Sequence, residues 1–211
     1  MVRAVLILAR HGRTEHNARG LLLGRLDPPL DEVGRAQAAA VAAAVTADAA
    51  ARGSQITAVV TSPLRRTVET AEAVAAAAGV AVTRDDRWIE LDYGELDGVA
   101  LADVPRATWA AWRADPGFAP PGGESLADLR LRVEAAVLAL LHGGEGLDPH
   151  VGDVVVVSHV SPIKAAVAWA LGTGDEVTWR LHLGQAALCR VALGPTGPVL
   201  HTFNETAHLA G

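Results

Sequence analysis

The 211-residue sequence contains a single cysteine, Cys189, and a single lysine, Lys164. One thiol excludes an intrachain disulfide and any multi-cysteine metal or iron–sulfur centre, and it makes a reducing cytoplasm the expected compartment. Positive charge is scarce as well, with 18 Lys plus Arg against 24 Asp plus Glu and a net charge of −6. That balance gives no long-range attraction for nucleic acid or an anionic membrane, so an anionic ligand has to be held by a local cluster of arginines. No stretch of about 18 apolar residues runs without a charge, so no membrane-spanning helix is expected. The apolar run at residues 4–9 leads straight into Arg10 and His11 with no cleavage signal, and reads as a buried strand, not a secretion leader. Neither a phosphate-binding Walker loop nor a dinucleotide glycine fingerprint is present.

Half of the residues are hydrophobic and 20% are charged, the balance of a folded chain, and the length suits one domain over residues 1–211. Residues 2–9, 56–61 and 153–158 are short apolar runs of the kind that form strands buried on both faces. Between them, Asp31 can cap a helix running to about residue 51. Pro63 can sit in the first turn of a helix over residues 64–78 that Gly79 ends. Ser125 and Asp128 can open one to about residue 141, with Leu126, Leu129, Val133, Val137 and Leu140 on a single face. Residues 115–123 and 143–152 read as loops, and the runs 186–193 and 199–203, joined by glycines and prolines, predict a hairpin. Strands alternating with helices predict an α/β fold, a three-layer α/β/α sandwich with a mostly parallel central sheet whose ligands sit at the carboxyl ends of strands.

Chemistry gathers at those ends. The first strand runs into Arg10-His11-Gly12-Arg13-Thr14-Glu15-His16-Asn17, which has the form of an anion site. A neutral histidine there can attack phosphorus, and Gly12 would let the backbone come close to the ligand. The third strand ends in Ser158-His159; if the two strands are neighbours, their imidazoles converge. The second leads to Ser62-Pro63-Leu64-Arg65-Arg66, where a guanidinium can grip phosphate oxygens. Glu90 opens a turn-rich acidic stretch that also holds Asp92, Glu95 and Asp97, one of which could donate a proton.

These stretches, in this order, resemble the histidine phosphatase superfamily, the group that includes cofactor-dependent phosphoglycerate mutase. The matching residues are Arg10, His11, Gly12, Thr14 and Asn17; Ser62, Leu64, Arg66, Thr70 and Ala71; Glu90, Gly94 and Gly98; and Ser158 and His159, with Pro121 to Ser125 as a further shared segment. The likeness spans nearly the whole chain and implies the phosphoglycerate mutase-like fold. It further implies that His11 is a nucleophile forming a phosphohistidine, that Arg10, Arg66 and His159 bind the phosphoryl oxygens, and that Glu90 is the proton donor. Thr14 and Asn17 would add polar contacts, and the motif spacing favours Arg66 over Arg65 for the inward role. Closer likeness, in residues 158–164 and 180–183, is to the acid phosphatase half of actinobacterial bifunctional ribonuclease H/acid phosphatases, itself related to alpha-ribazole phosphatase. Val160 stands where many members carry a glycine, a departure that bears on pocket width.

The expectation is a cytoplasmic phosphomonoesterase acting on small phosphorylated metabolites, with no metal, cofactor, nucleic-acid or membrane partner. Leu23, Gly24, Ser125 and Val160 are the candidates for shaping the pocket. Trp109 and Trp112 are expected to pack and not to stack on substrate. A mutase that returns the phosphoryl group to a bound acid is the first rival, disfavoured because residues 99–121 offer only Arg106 and Arg113 as cations. A phosphate-binding module without turnover is the second, and a homodimer remains open.

Overall fold

Strand β1 (Val5–Arg10) is apolar on both sides because it lies between two helix layers. In the computed structural model, which describes residues 5–141, 152–194 and 197–210, Leu6 and Leu8 enter one core while Val5, Ile7 and Ala9 enter the other. This is the period-two alternation of a pleated strand. Parallel to β1 runs β4 (Asp153–Ser158), in register from Leu6 opposite Val154 to Arg10 opposite Ser158. On the far side of β4 lies β2 (Ile56–Thr61), and the short β3 (Val82–Arg84) closes that edge, both pairings parallel. The expected hairpin is β5 (Leu188–Gly194) with β6 (Gly197–Glu205), and β5 is antiparallel to β1. The six-stranded order is therefore β3-β2-β4-β1-β5-β6, mostly parallel.

Helices α2 (Glu32–Ala51) and α3 (Arg65–Ala78) cover one face through Val41, Val45, Ala71 and Val74. The opposite face is covered by α5 (Leu126–Leu141) and α6 (Val160–Leu171), through Leu129, Val133, Val137 and Ile163. Asp31 caps α2 by accepting the Gly34 N–H, and Ser125 caps α5 by accepting the Asp128 N–H. Pro63 falls outside the first turn of α3: Leu64, in an extended conformation, is the residue before the helix, as a chain leaving proline geometry allows.

Four elements go beyond the sequence reading: β3, α1 (Glu15–Ala18), α4 (Arg106–Ala114) and α6. Two of them are a strand of three residues and a helix of four, too short to show periodicity. The loop expected at 143–152 lies, apart from Gly152, outside the described residues. A third, smaller core of Leu22, Val104 and Trp112, backed by Trp109, Phe118 and Trp179, stands apart from the two sheet faces. Among the described residues no helix is long and apolar enough to cross a membrane.

Candidate active site

The parallel register that sets Arg10 opposite Ser158 brings the residues that follow, His11 and His159, together; their ring centroids lie 5.1 Å apart, edge to face. Both imidazoles are buried. His11 Nδ1 lies 2.7 Å from the Gly12 carbonyl, which can only accept, so Nδ1 carries the proton and Nε2 keeps its lone pair. Burial, then the Arg66 and Arg10 charges, hold His11 well below the usual histidine range, against the pull of the Gly12 carbonyl. The ring is thus held neutral, with its free nitrogen selected by a backbone bond. Gly12 has a packing task besides the approach to ligand expected of it. A Cβ there would lie 2.3 Å from the Gly34 carbonyl oxygen, so what the missing side chain admits is the first turn of α2.

His159 precedes α6, and its Nε2 lies 2.8 Å from the Ser62 hydroxyl. Burial first, and then Arg66, His11 and Arg10, hold it too well below the usual range. Its Nδ1 is buried without a partner. With the Ser62 hydroxyl donating to Nε2, Nδ1 carries a proton free for an incoming oxygen. Ser62 thus has a positioning task that the sequence motif did not reveal.

Arg66 is fully buried, and its guanidinium is aimed by two donations, to the Leu26 carbonyl at 2.7 Å and the Gly24 carbonyl at 2.9 Å. Those carbonyls are held in turn by Asp97, whose carboxylate accepts the N–H groups of Gly24, Arg25 and Leu26. Asp97, weighed as a proton donor from sequence, therefore organises the loop behind Arg66. Arg65 is exposed and paired with Glu69 at 2.7 Å. Arg10 donates to the Leu183 carbonyl at 2.7 Å. Burial lowers both Arg10 and Arg66 to about 10, opposed chiefly by Glu90. The Nε atoms of Arg10 and Arg66 are buried and unpartnered, like His159 Nδ1. Buried donors of this kind are rare in folded proteins, and an anion is the partner that their charge calls for.

Glu90 is held by the start of α6: its carboxylate accepts Val160 N–H at 3.0 Å, Ser161 N–H at 3.1 Å and its neighbour Leu91 N–H at 2.8 Å. Arg132 on α5 fixes the segment from outside by donating to the carbonyls of Arg87 and Glu90. Tyr93, the only tyrosine, hydrogen-bonds Ser161, and burial pushes its phenol up.

A cavity of about 390 Å³ opens from Arg10, His11 and Glu90 and is walled by Leu22, Trp109, Trp112 and Trp179. Of the pocket residues expected from sequence, Asn17, Leu23 and Val160 line it. Thr14, Gly24 and Ser125 do not. The Thr14 hydroxyl is spent on Asn17 as the cap of α1, Gly24 presents its carbonyl to Arg66, and the Ser125 hydroxyl donates to Asp128 at 2.7 Å. All three act as supports because their polar groups are already used. Trp109 and Trp112 pack as expected, with ring centroids 5.4 Å apart, yet they also wall the cavity. Lys164, Ser161 and Trp179 line it too; the first two belong to the stretch 158–164 that carries the closer likeness, but no pocket role was legible for any of the three. Among the described residues no group of three or more His, Cys, Asp or Glu could hold a metal ion.

Comparison with known proteins agrees with this geometry. The family model described as histidine phosphatase superfamily (branch 1) matches residues 6–206. The bifunctional protein Rv2228c of Mycobacterium tuberculosis is 39% identical over 208 residues, covering 97% of this chain and 54% of that protein, so the chain spans about half the length of that relative. A 2,3-bisphosphoglycerate-dependent phosphoglycerate mutase of Mesorhizobium japonicum is 34% identical, with 97% and 95% covered. Among solved structures, mycobacterial glucosyl-3-phosphoglycerate phosphatase Rv2419c in complex with VO3 superposes with a TM-score of 0.83 at 32% identity, covering 96% of this chain and 100% of that one. With a sheet whose parallel register joins two histidines, and a family model that matches residues 6–206, this chain belongs to the histidine phosphatase superfamily.

Proposed function

We propose that the protein hydrolyses small phosphomonoesters through a phosphohistidine formed on His11, with no metal ion required. The observation that carries this reading is the locked tautomer of His11 beside two unpartnered buried guanidinium donors, Arg10 Nε and Arg66 Nε, and the unpartnered Nδ1 of His159. Phosphoryl transfer needs chiefly positioning and charge stabilisation, and two guanidiniums with an imidazole N–H supply both. In the first step the lone pair on His11 Nε2 forms the bond to phosphorus, the ester P–O bond breaks, and Glu90, protonated on one oxygen, gives that proton to the leaving oxygen. In the second step water forms the new P–O bond and yields a proton to the Glu90 carboxylate as the N–P bond breaks. Orthophosphate leaves and both side chains return to their starting states.

A mutase has to retain the leaving acid through two transfers. Arg106 and Arg113, the cations of the segment where such a clamp was sought, do not line the main cavity, and Arg113 instead lies over the Trp179 ring at 5.7 Å. That segment thus adds no cation to the cavity wall, where Lys164 is the single one beyond Arg10, and this favours water as the acceptor. The test is phosphate release from a panel of phosphomonoesters, 3-phosphoglycerate included, in excess EDTA. Release persists in wild type and falls by about 10³-fold or more in His11→Ala. Equal release by the variant removes the proposal, and conversion of 3- to 2-phosphoglycerate faster than phosphate release replaces it with the mutase.

A further inference from the structure

The lone lysine of the chain has no role in the chemistry just described, yet its side chain lines the cavity beyond it. Lys164 stands four residues after Val160 on α6, hence on the same helix face and about 6 Å further along the axis. Helical side chains lean toward the N-terminus, which brings the ammonium back toward the Glu90 end. Among the described residues it makes no hydrogen bond and no ion pair, although it is half-buried. Two carboxylates share the cavity; Glu90 favours the Lys164 charge from a distance, but neither forms a hydrogen bond or an ion pair with it. Glu90 is taken up by three backbone N–H groups, and Asp175 pairs with Arg130 at 3.1 Å. Arg10, the other cation on the cavity wall, adds like charge. Leucines and tryptophans form much of the remaining wall, Leu21, Leu22, Leu101, Trp109, Trp112 and Trp179, with the polar Asn17, Tyr93, Ser161, Thr178 and Gln185 between them.

We infer that Lys164 binds a carboxylate on the leaving group, so that preferred substrates are monophosphates of an apolar, ring-sized alcohol or phenol that carries a carboxylate about one helical turn from the ester oxygen. The inference rests on the phosphatase reading above and names its substrate class. An ammonium withdrawn from water gains most from an ionised partner, and the apolar walls strengthen that attraction. A carboxylate fits better than a second phosphoryl group, because the phosphoryl end of the site meets its charge with two guanidiniums and an imidazole, whereas Lys164 offers one compact charge.

The test compares 4-carboxyphenyl phosphate with 4-carbamoylphenyl phosphate, which has the same shape but no charge. The ratio of their kcat/KM values should be higher in wild type than in Lys164→Met by about tenfold or more, the usual worth of a hydrogen bond to a charged group. Lys164→Arg should restore most of it. The same ratio in wild type and Lys164→Met, or in Lys164→Gln if the first variant does not fold, overturns the inference. If wild type hydrolyses neither ester, it is the phosphatase reading that falls. Equilibrium binding of the two esters to wild type and to Lys164→Gln then still reads Lys164: a charge preference that depends on the lysine sustains it, and equal binding overturns it.

Discussion

At the His11 end of the cavity the polar side chains leave strand ends, a loop and the first turn of α3, and each is aimed by a bond to the backbone: His11 to Gly12, Arg10 to Leu183, Arg66 to Gly24 and Leu26, Glu90 to Val160 and Ser161. At the Lys164 end the walls are rings from α4 and from the turn at Asp175–Arg180, held by one another: Trp109 meets Trp112 at 5.4 Å and Trp179 at 6.3 Å, and Trp112 meets Tyr93 at 5.9 Å. Directional bonds hold a group to a fraction of an ångström, which phosphoryl transfer demands; packed rings define a volume and tolerate different occupants. Changes at the first end should therefore weaken turnover of every ester, and changes at the second should reorder the preference among esters.

The comparison is sharpest at Glu90, which touches both ends. Glu90→Gln should lower turnover of alkyl phosphates by about 10²–10⁴-fold, the range for a lost general acid. The loss should be much smaller for 4-nitrophenyl phosphate, whose phenolate departs without a proton. Equal losses on the two esters would mean that the carboxylate serves to hold the Val160–Ser161 turn and not to move a proton. Arg66→Lys should cost about 10²-fold in kcat/KM on every ester while leaving their ranking unchanged, because an ammonium cannot satisfy two carbonyls and an anion in one plane. A changed ranking would break the division between the two ends.

The smallest effect is on stability. Both buried imidazoles are held below 6.5 by burial and then by Arg66, so between that value and their folded ones the unfolded chain binds protons that the folded chain does not. Their share of stability is complete above about 6.5 and is lost as the pH falls below it. The melting temperature should drop on acidification from pH 7 to 5.5, and drop less in His159→Asn. A flat profile in wild type would contradict neutral histidines in the folded state.

Much of the scaffold was legible in the chain itself. Residues 56–61 and 153–158 are strands as expected because both are buried on two faces and so lack the alternation that would blur them. Asp31 and Ser125 mark helix starts because capping is a local bond. Arg66 is singled out over Arg65 by spacing, and the structure buries the first and leaves the second to pair with Glu69. The roles of Gly12 and Gly24 were not legible, since each depends on a partner brought near by folding: the Gly34 carbonyl and the Arg66 guanidinium.

By itself the amino-acid order determined that strands and helices alternate, that Arg10 and His11 stand where one apolar run stops and Ser158 and His159 where another does, because burial periodicity and capping act over a few residues. Only the tertiary structure decided that the His11 and His159 rings meet, that Asp97 steers Arg66 through the loop at residues 24–26, and that Lys164 lines the cavity without a hydrogen bond or an ion pair. Those outcomes depend on the parallel register of β1 and β4 and on bonds between residues tens of positions apart, which no local pattern records.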